Sequence, residues 1–254
     1  MQPDDFGAER DDHTFQVADH GIDPSPMPGR ARSLHARTGR PGSAPSKATD
    51  SFGLKDMLLW CGVPVAVVLL LRIFVFPLYW IPSSSMMDTI APDDRVVTIS
   101  TKILPASQLQ RGDIVVFKDP ANWLGDEQTQ GGNGYLIKRL IGLPGDVVEC
   151  AGAGYPITIN GVAVDESAYV RPGSDPSSFS FKVTVTAGHV FVMGDNRAHS
   201  ADSRFHQDDG DGGLVPLDDV TGKAVLTYWP ISRIGLLDSH HEVFAQVPSG
   251  SVSR

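Results

Sequence analysis

Cysteine is nearly absent from this chain: there are two in 254 residues, Cys61 inside an apolar run and Cys150 far beyond it. The region after the run therefore holds one thiol and no partner for it, which excludes an internal disulfide as a source of stability. Cys150 closes the stretch DVVEC, which reads as a buried strand end where thiols are usually inert, so a cysteine nucleophile is not expected. Positive charge is also scarce, with 21 Lys and Arg against 30 Asp and Glu and a formal net charge of -9. Duplex binding rests on cations that neutralise phosphates, so nucleic acid is excluded as the main partner. Internal repeats are lacking, and there is one long hydrophobic stretch. What is present is an ordinary globular balance, 41% hydrophobic and 20% charged, enough for one substantial domain with appendages.

Residues 1–53 are rich in Pro, Ser and Gly and show no apolar period of a strand or a helix, which predicts a disordered tail. Arg30, Arg32, Arg37, Arg40, Lys47 and Lys55 crowd its end, with only Asp50 against them in that interval. By the positive-inside rule this bias places the tail in the cytoplasm. Residues 57–80 are almost all apolar and predict a single transmembrane helix. At about 1.5 Å per residue it would span roughly 36 Å, more than the hydrocarbon core of about 30 Å. Gly62 and Pro64 are candidate kinks, and Arg72 lies close enough to Tyr79 and Trp80 to snorkel to the outer interface. The run is too long and too deep in the chain for a cleaved leader, and no small-residue cleavage site follows it. An uncleaved, single-pass anchor in the cytoplasmic membrane is expected, with residues 81–239 forming an extracytoplasmic domain.

That domain reads as mainly β. RVVTIS (95–100), DIVVF (113–117), YLIKRL (135–140), DVVEC (146–150), residues 190–193 and residues 220–229 are short segments rich in β-branched residues. ITINGVAV (157–164) carries Asn160-Gly161 between two apolar arms, a hairpin signal. Residues 119–134, 171–178 and 207–213 read as surface connections, and residues 240–254 as a flexible C-terminal tail.

The chemistry centres on IPSSSMMDTI (81–90), directly after the apolar run. Pro82 fixes its own φ and pushes Ile81 toward an extended conformation, so Ser83, Ser84 and Ser85 leave the membrane on stiff backbone. A serine hydroxyl needs a base to take its proton. Lys138, in the apolar strand YLIKRLIG, is a candidate: a free lysine has a pKa of about 10.4, and desolvation would have to lower it by about 3 units. From the strand alone, Lys138 or Arg139 is equally well the solvent-facing member of an alternating pattern. His199 offers a rival base, in a Ser-His-Asp arrangement with Asp195 or Asp202. His199 and His206 do not have the close spacing of zinc ligands, and DDGDGG (208–213) lacks the full ligand spacing of a calcium loop.

Four ordered segments resemble the bacterial type I signal peptidases, membrane-anchored Ser-Lys endopeptidases with antiparallel β-sheets. They are the Pro-Ser-x-Ser-Met pattern at Pro82 to Met86, Arg-Gly-Asp and an apolar strand at Arg111 to Phe117, YLIKRLIGLPGD at 135–146, and GDNRAHSADSR at 194–204. The resemblance implies Ser85 as nucleophile and Lys138 as general base, with the Ser83 hydroxyl and the Ser85 N–H as oxyanion hole. It further implies that Ser200 orients Lys138 by accepting its hydrogen bond. Asp202 and Arg204 would be a structural acid and base, and Asp195 and Asn196 turn formers supporting the same region. No metal or organic cofactor is implied. The implied partners are signal peptides of exported pre-proteins, membrane lipid and a nearby export translocon. This chain departs from the pattern at Asp88, where the family usually has proline, and at Ala198-His199, where Asp-Asn is common. A binding protein that kept the fold without activity would be expected to lack Ser85 or Lys138. A Ser-Lys self-cleaving regulator would lack an anchor just before the serine.

Overall fold

The computed structural model describes residues 53–125 and 134–251; the expected tail over 1–53 lies, but for Gly53, outside the described residues. Leu54–Phe74 form one helix of 21 residues. Its rise of about 31 Å matches the apolar thickness of a bilayer. None of its residues is buried by the rest of the protein. A π-helical turn at Leu58–Gly62 precedes Pro64. In a regular helix the proline ring would collide with the carbonyl of the fourth residue before it, and the wider turn makes room. The helix expected over 57–80 stops earlier than its apolar run does: it ends at Phe74, and Leu78–Trp80 form strand β1. Strand pairing takes over the backbone there, with Ser100 N–H donating to Val75 O and Thr98 N–H to Pro77 O, both at 3.0 Å. A short apolar run does not by itself distinguish a helix end from a buried strand.

The other strands are β2 (Arg95–Ser100), β3 (Ile114–Lys118), β4 (Tyr135–Gly142), β5 (Val147–Cys150), β6 (Thr158–Ile159), β7 (Val162–Ala163), β8 (Phe181–Thr184), β9 (His189–Met193), β10 (Val215–Pro216), β11 (Val220–Trp229) and β12 (Gly235–Leu236). The larger sheet has the order β1-β2-β11-β3-β4-β9-β10, with β12 on β11, and a smaller sheet has the order β7-β6-β5-β8. The fold is mainly β, as expected. At the hairpin, Asn160 and Gly161 take φ values of 53° and 81°, the left-handed pair that a tight two-residue turn requires.

Strand β4 is buried from Leu136 to Gly142. Val148, Ile159 and Phe181 of the smaller sheet pack with Ile141, Phe191 and Met193 of the larger one. A separate cluster gathers Ile81, Met86, Ile90, Val96, Ile114 and Ile137 and clamps the segment that carries the serines.

Residues 240–251 are not the loose tail expected from sequence over 240–254; the last three lie outside the described residues. Phe244 and Val247 are buried in the cluster that joins the sheets. Arg111 donates to Val247 O at 3.4 Å and Pro248 O at 3.0 Å while pairing with Asp146 at 2.7 Å. These few apolar residues have no period, so nothing local marks them for burial. The surface that recruits them comes from distant strands. Phe244→Ala is expected to destabilise the full-length protein by about 3 kcal/mol. Denaturant unfolding in detergent measures this, and an unchanged midpoint would mean the segment is not part of the core.

Candidate active site

The serine segment is held from both ends. Ile81 N–H donates to Asp94 O at 2.9 Å and Ile81 O accepts from Asp93 N–H at 2.8 Å, which keeps the backbone extended into Pro82. Beyond it, Met87 N–H closes a turn on Ser84 O at 3.1 Å, and Met86 and Ile90 are fully buried. Ser85 is thereby carried inward, to 5% exposure, while Ser83 stays at the surface.

Lys138 lies in the middle of β4, opposite Val115 of β3, with 4% exposure. Its ammonium nitrogen donates to Ser85 Oγ at 2.8 Å. Burial pulls its pKa down from 10.5 to about 8, against the opposing pull of the Asp202 and Asp195 carboxylates; Arg204 also lowers it. The reading of Lys138 or Arg139 as a solvent-facing strand residue does not hold for either one. Arg139 is also fully buried, in a two-pronged ion pair with Asp195 at 2.8 Å per bond, and its guanidinium lies 4.2 Å from the Tyr169 ring centre.

The Ser83 hydroxyl lies 3.2 Å from Ser85 Oγ. Among the described residues nothing accepts from the Ser85 N–H. Asn196 ties the loop down, its N–H donating to Ser85 O and its side-chain amide to Ser84 O, both at 3.0 Å. Gly194 is required by close approach: a Cβ there would overlap the Ser200 side chain and the Ser85 carbonyl. Asp202 pairs with Arg204 at 2.8 Å and accepts from Gly194 N–H at 3.0 Å. Burial would raise the Asp202 pKa, but Arg204 and the Gly194 N–H outweigh it and hold the carboxylate below its usual range.

Ser200 differs from expectation. It is buried beside Gly194, and its Oγ meets hydrogen-bond geometry with no partner, although it lies near enough to the Asp202 carboxylate to help hold its pKa down. Lys138 makes its hydrogen bond to Ser85 instead. Asp195 and Asn196 are also more than turn formers, since one neutralises Arg139 and the other holds the serine loop.

A chain with this arrangement, a buried amine on a serine hydroxyl beside a membrane-length helix, matches a known family. The family model described as signal peptidase, peptidase S26, covers residues 54–229. The chain belongs to this family. Signal peptidase I of Leptolyngbya laminosa is 37% identical over 178 residues, 69% of this chain and 80% of that protein. Signal peptidase I of Mycobacterium tuberculosis is 33% identical over 226 residues, covering 73% and 76%. Probable signal peptidase I-1 of Synechocystis is 35% identical over 204 residues, covering 78% and 92%. As a signal peptidase of this family the protein is a serine peptidase, and a Ser-Lys pair is characteristic of the family.

In this signal peptidase, His199 lines the same cleft as Ser85 but makes its hydrogen bond, at 3.3 Å, to Asn196 Oδ1. His206 stacks on Trp123 with ring centres 4.5 Å apart. Neither histidine bonds to Ser85. Asp209 of the DDGDGG run accepts from Trp123 Nε1 at 2.8 Å and from the N–H groups of Asp211 and Gly213 at 3.0 Å, so its carboxylate organises a loop. The sequence reading missed the buried Glu166–Arg197 pair, at 2.6 Å, whose Arg197 Nε also donates to Gly194 O at 3.0 Å. No local pattern announces it. Arg139 could have been found, since a second cation in a buried strand demands a carboxylate.

A buried lysine with a lowered pKa weakens the fold at neutral pH. The unfolded chain holds the proton up to about 10.5 and the folded protein only to about 8, so stability rises with pH between those values. Below about pH 8 the full cost, about 3 kcal/mol, is present. Lys138→Met is therefore expected to raise the unfolding free energy at pH 7 by up to about 3 kcal/mol, with the gain vanishing above about pH 10.5. Calorimetric or denaturant unfolding across that range tests it, and a variant less stable than the parent would contradict the assignment.

Proposed function

We propose that the protein removes signal peptides from exported pre-proteins, with Ser85 as the nucleophile and Lys138 as its general base. The observation that carries this reading is the 2.8 Å contact between the two in a buried setting where the amine titrates near 8. Neutral Lys138 takes the Ser85 proton as Oγ attacks the scissile carbonyl. The tetrahedral oxyanion meets the Ser85 N–H and the Ser83 hydroxyl, which turns from its present contact with Ser85 Oγ. Collapse breaks the peptide bond, and the Lys138 ammonium gives its proton to the departing amine. An ester on Ser85 remains. Water attacks it as Lys138 again takes a proton, and when the acyl C–O bond breaks the lysine returns that proton to Ser85 Oγ, the signal peptide leaving as a carboxylate. Asp195, Asn196, Asp202 and Arg204 hold the loop in register, and Ser200 would accept from Lys138 once Ser85 is acylated.

The substrate would lie extended in a cleft of about 690 Å³ that runs past Trp80, Ile81, Ser85, Ile137 and Lys138. Backbone pairing with such a segment is the strand-addition mode of peptide recognition. The Leu54–Phe74 helix serves as the membrane anchor, with the preceding residues cytoplasmic and the β domain outside. Trp80 and Trp229 flank Arg95 at one end of the larger sheet, and Ile231, Ile234 and Leu236 follow nearby, all exposed. Such a patch suits the lipid interface, and would keep Ser85 close to the emerging signal peptide and the translocon.

Cleavage of a pre-protein in detergent tests the reading. Ser85→Ala and Lys138→Ala should abolish turnover, Ser83→Ala should slow it about a hundredfold, and His199→Ala should retain it. Because the base must be neutral, the rate should climb with pH and reach half its maximum near pH 8. Loss of turnover on the histidine change alone, with the lysine change tolerated, would overturn the dyad.

A further inference from the structure

A second cleft, of about 660 Å³, is lined by residues 154–156, 163–167 and 170–176. Val164, Glu166 and Val170 are buried along it, while Tyr155, Asp165 and Arg171 are exposed on its rim. It does not include Ser85 or Lys138. Two links join it to the reacting centre. Arg171 reaches back to Asp88, three residues beyond Ser85, at 3.7 Å. Glu166 holds Arg197, whose Nε donates to the Gly194 carbonyl, and Gly194 is wedged between Ser85 and Ser200.

The direction of the chain in the catalytic cleft follows from the anchor. Strand β1 comes straight off the membrane helix, and Tyr79 and Trp80 line the cleft at that end. A segment arriving from the bilayer therefore runs along residues 79–85 to the nucleophile. Continuing in the direction of the serine loop, the part beyond the scissile bond would pass Met87 and Asp88. At most about 11 Å of backbone separates Ser85 from Asp88. At about 3.3 Å per residue, an extended chain reaches Arg171 roughly five residues after the scissile bond.

We infer that this second cleft binds the first residues of the mature protein, in extended form, and selects them by charge. The inference rests on the assignment of Ser85 and Lys138 made above. Val164 and Val170 give the cleft an apolar floor, and Tyr155 an aromatic rim. Its carboxylates are unequally matched: Asp88 pairs with Arg171 and Glu166 with Arg197, but among the described residues no cation pairs with Asp165 or Asp175. The surplus is negative, so the cleft favours Lys and Arg in the early mature segment over Asp and Glu. Asp88, which stands where the family usually has proline, adds a carboxylate at the entrance.

The test uses the full-length chain in detergent carrying Ser85→Ala, which holds substrate uncut, and fluorescence anisotropy of labelled synthetic peptides. All share the end of one signal sequence. A short peptide stops about two residues past the junction, and long ones run about eight past it, with either Lys or Glu from about the fourth to the sixth, enough to cover the cleft at about 3.3 Å per residue. The Lys peptide should bind tighter than the Glu peptide by roughly threefold to tenfold, the range expected for several partly exposed charges. Asp165→Lys should reduce or reverse that ratio, and Arg171→Glu should increase it. A general disturbance of the loop would not move the two variants in opposite directions. Equal affinity for the short and both long peptides, or a ratio that neither variant changes, would overturn the inference. Failure of the Ser85 protein to cut the long peptides would count against the proposed function alone, because the binding ratio is read on uncut substrate.

Discussion

The structure depends on keeping one amine without a carboxylate. Asp195 and Asp202 are close enough to Lys138 to raise its pKa, and an ion pair with either would keep it charged. Each is already occupied: Asp195 faces Arg139 in a fully buried pair, and Asp202 faces Arg204. A guanidinium stays protonated at any working pH and binds a carboxylate with two parallel bonds, so it outcompetes a lysine for that partner. Lys138 is left with a neutral hydroxyl, and burial decides its charge. The arginines set the charge of the lysine by removing the alternatives open to it.

Those pairs also solve a packing problem. Two antiparallel sheets meet where loops must cross, and crossing loops bring carbonyls and N–H groups into the interior that no ladder satisfies. Arg204 donates to Arg197 O and Pro176 O, and Arg139 to Gly112 O and Asp238 O, so each side chain neutralises an acid and satisfies backbone from a distant segment. Removing one partner would leave a charge buried alone and strand the carbonyls as well, a heavier cost than the pair itself contributes.

Local chemistry was legible in the sequence wherever one segment carries its own reason. The Asn160-Gly161 turn and the strands over 95–100 and around Lys138 follow from residue type and spacing, whereas the burial of both Lys138 and Arg139 does not. The end of the helix did not, because Leu78 to Trp80 are apolar whether helical or extended, and their fate is set by β2. The partners of Arg139 and Arg197 were hidden for the same reason: Asp195 and Glu166 lie 56 and 31 residues away, and only the folded sheets bring them close. Ser200 shows the converse. The resemblance implied that it accepts from Lys138, whereas the lysine's hydrogen bond goes to Ser85 Oγ and the Ser200 hydroxyl is buried beside Gly194.

The segment after residue 239 bears on the same amine. Arg139 donates to Asp238 O and stacks on Tyr169, and Tyr169 in turn packs against His240 and Phe244. The apolar cover over the Arg139–Asp195 pair is therefore completed by residues near the end of the chain. If water reached that pair, it would weaken the hold of Arg139 on Asp195 and solvate the region around β4. Both effects would favour the ammonium form of Lys138, the first by leaving a carboxylate free and the second by relieving desolvation. Dryness at Lys138 is thus a property of the whole β domain, maintained in part from a segment that touches neither Lys138 nor Ser85.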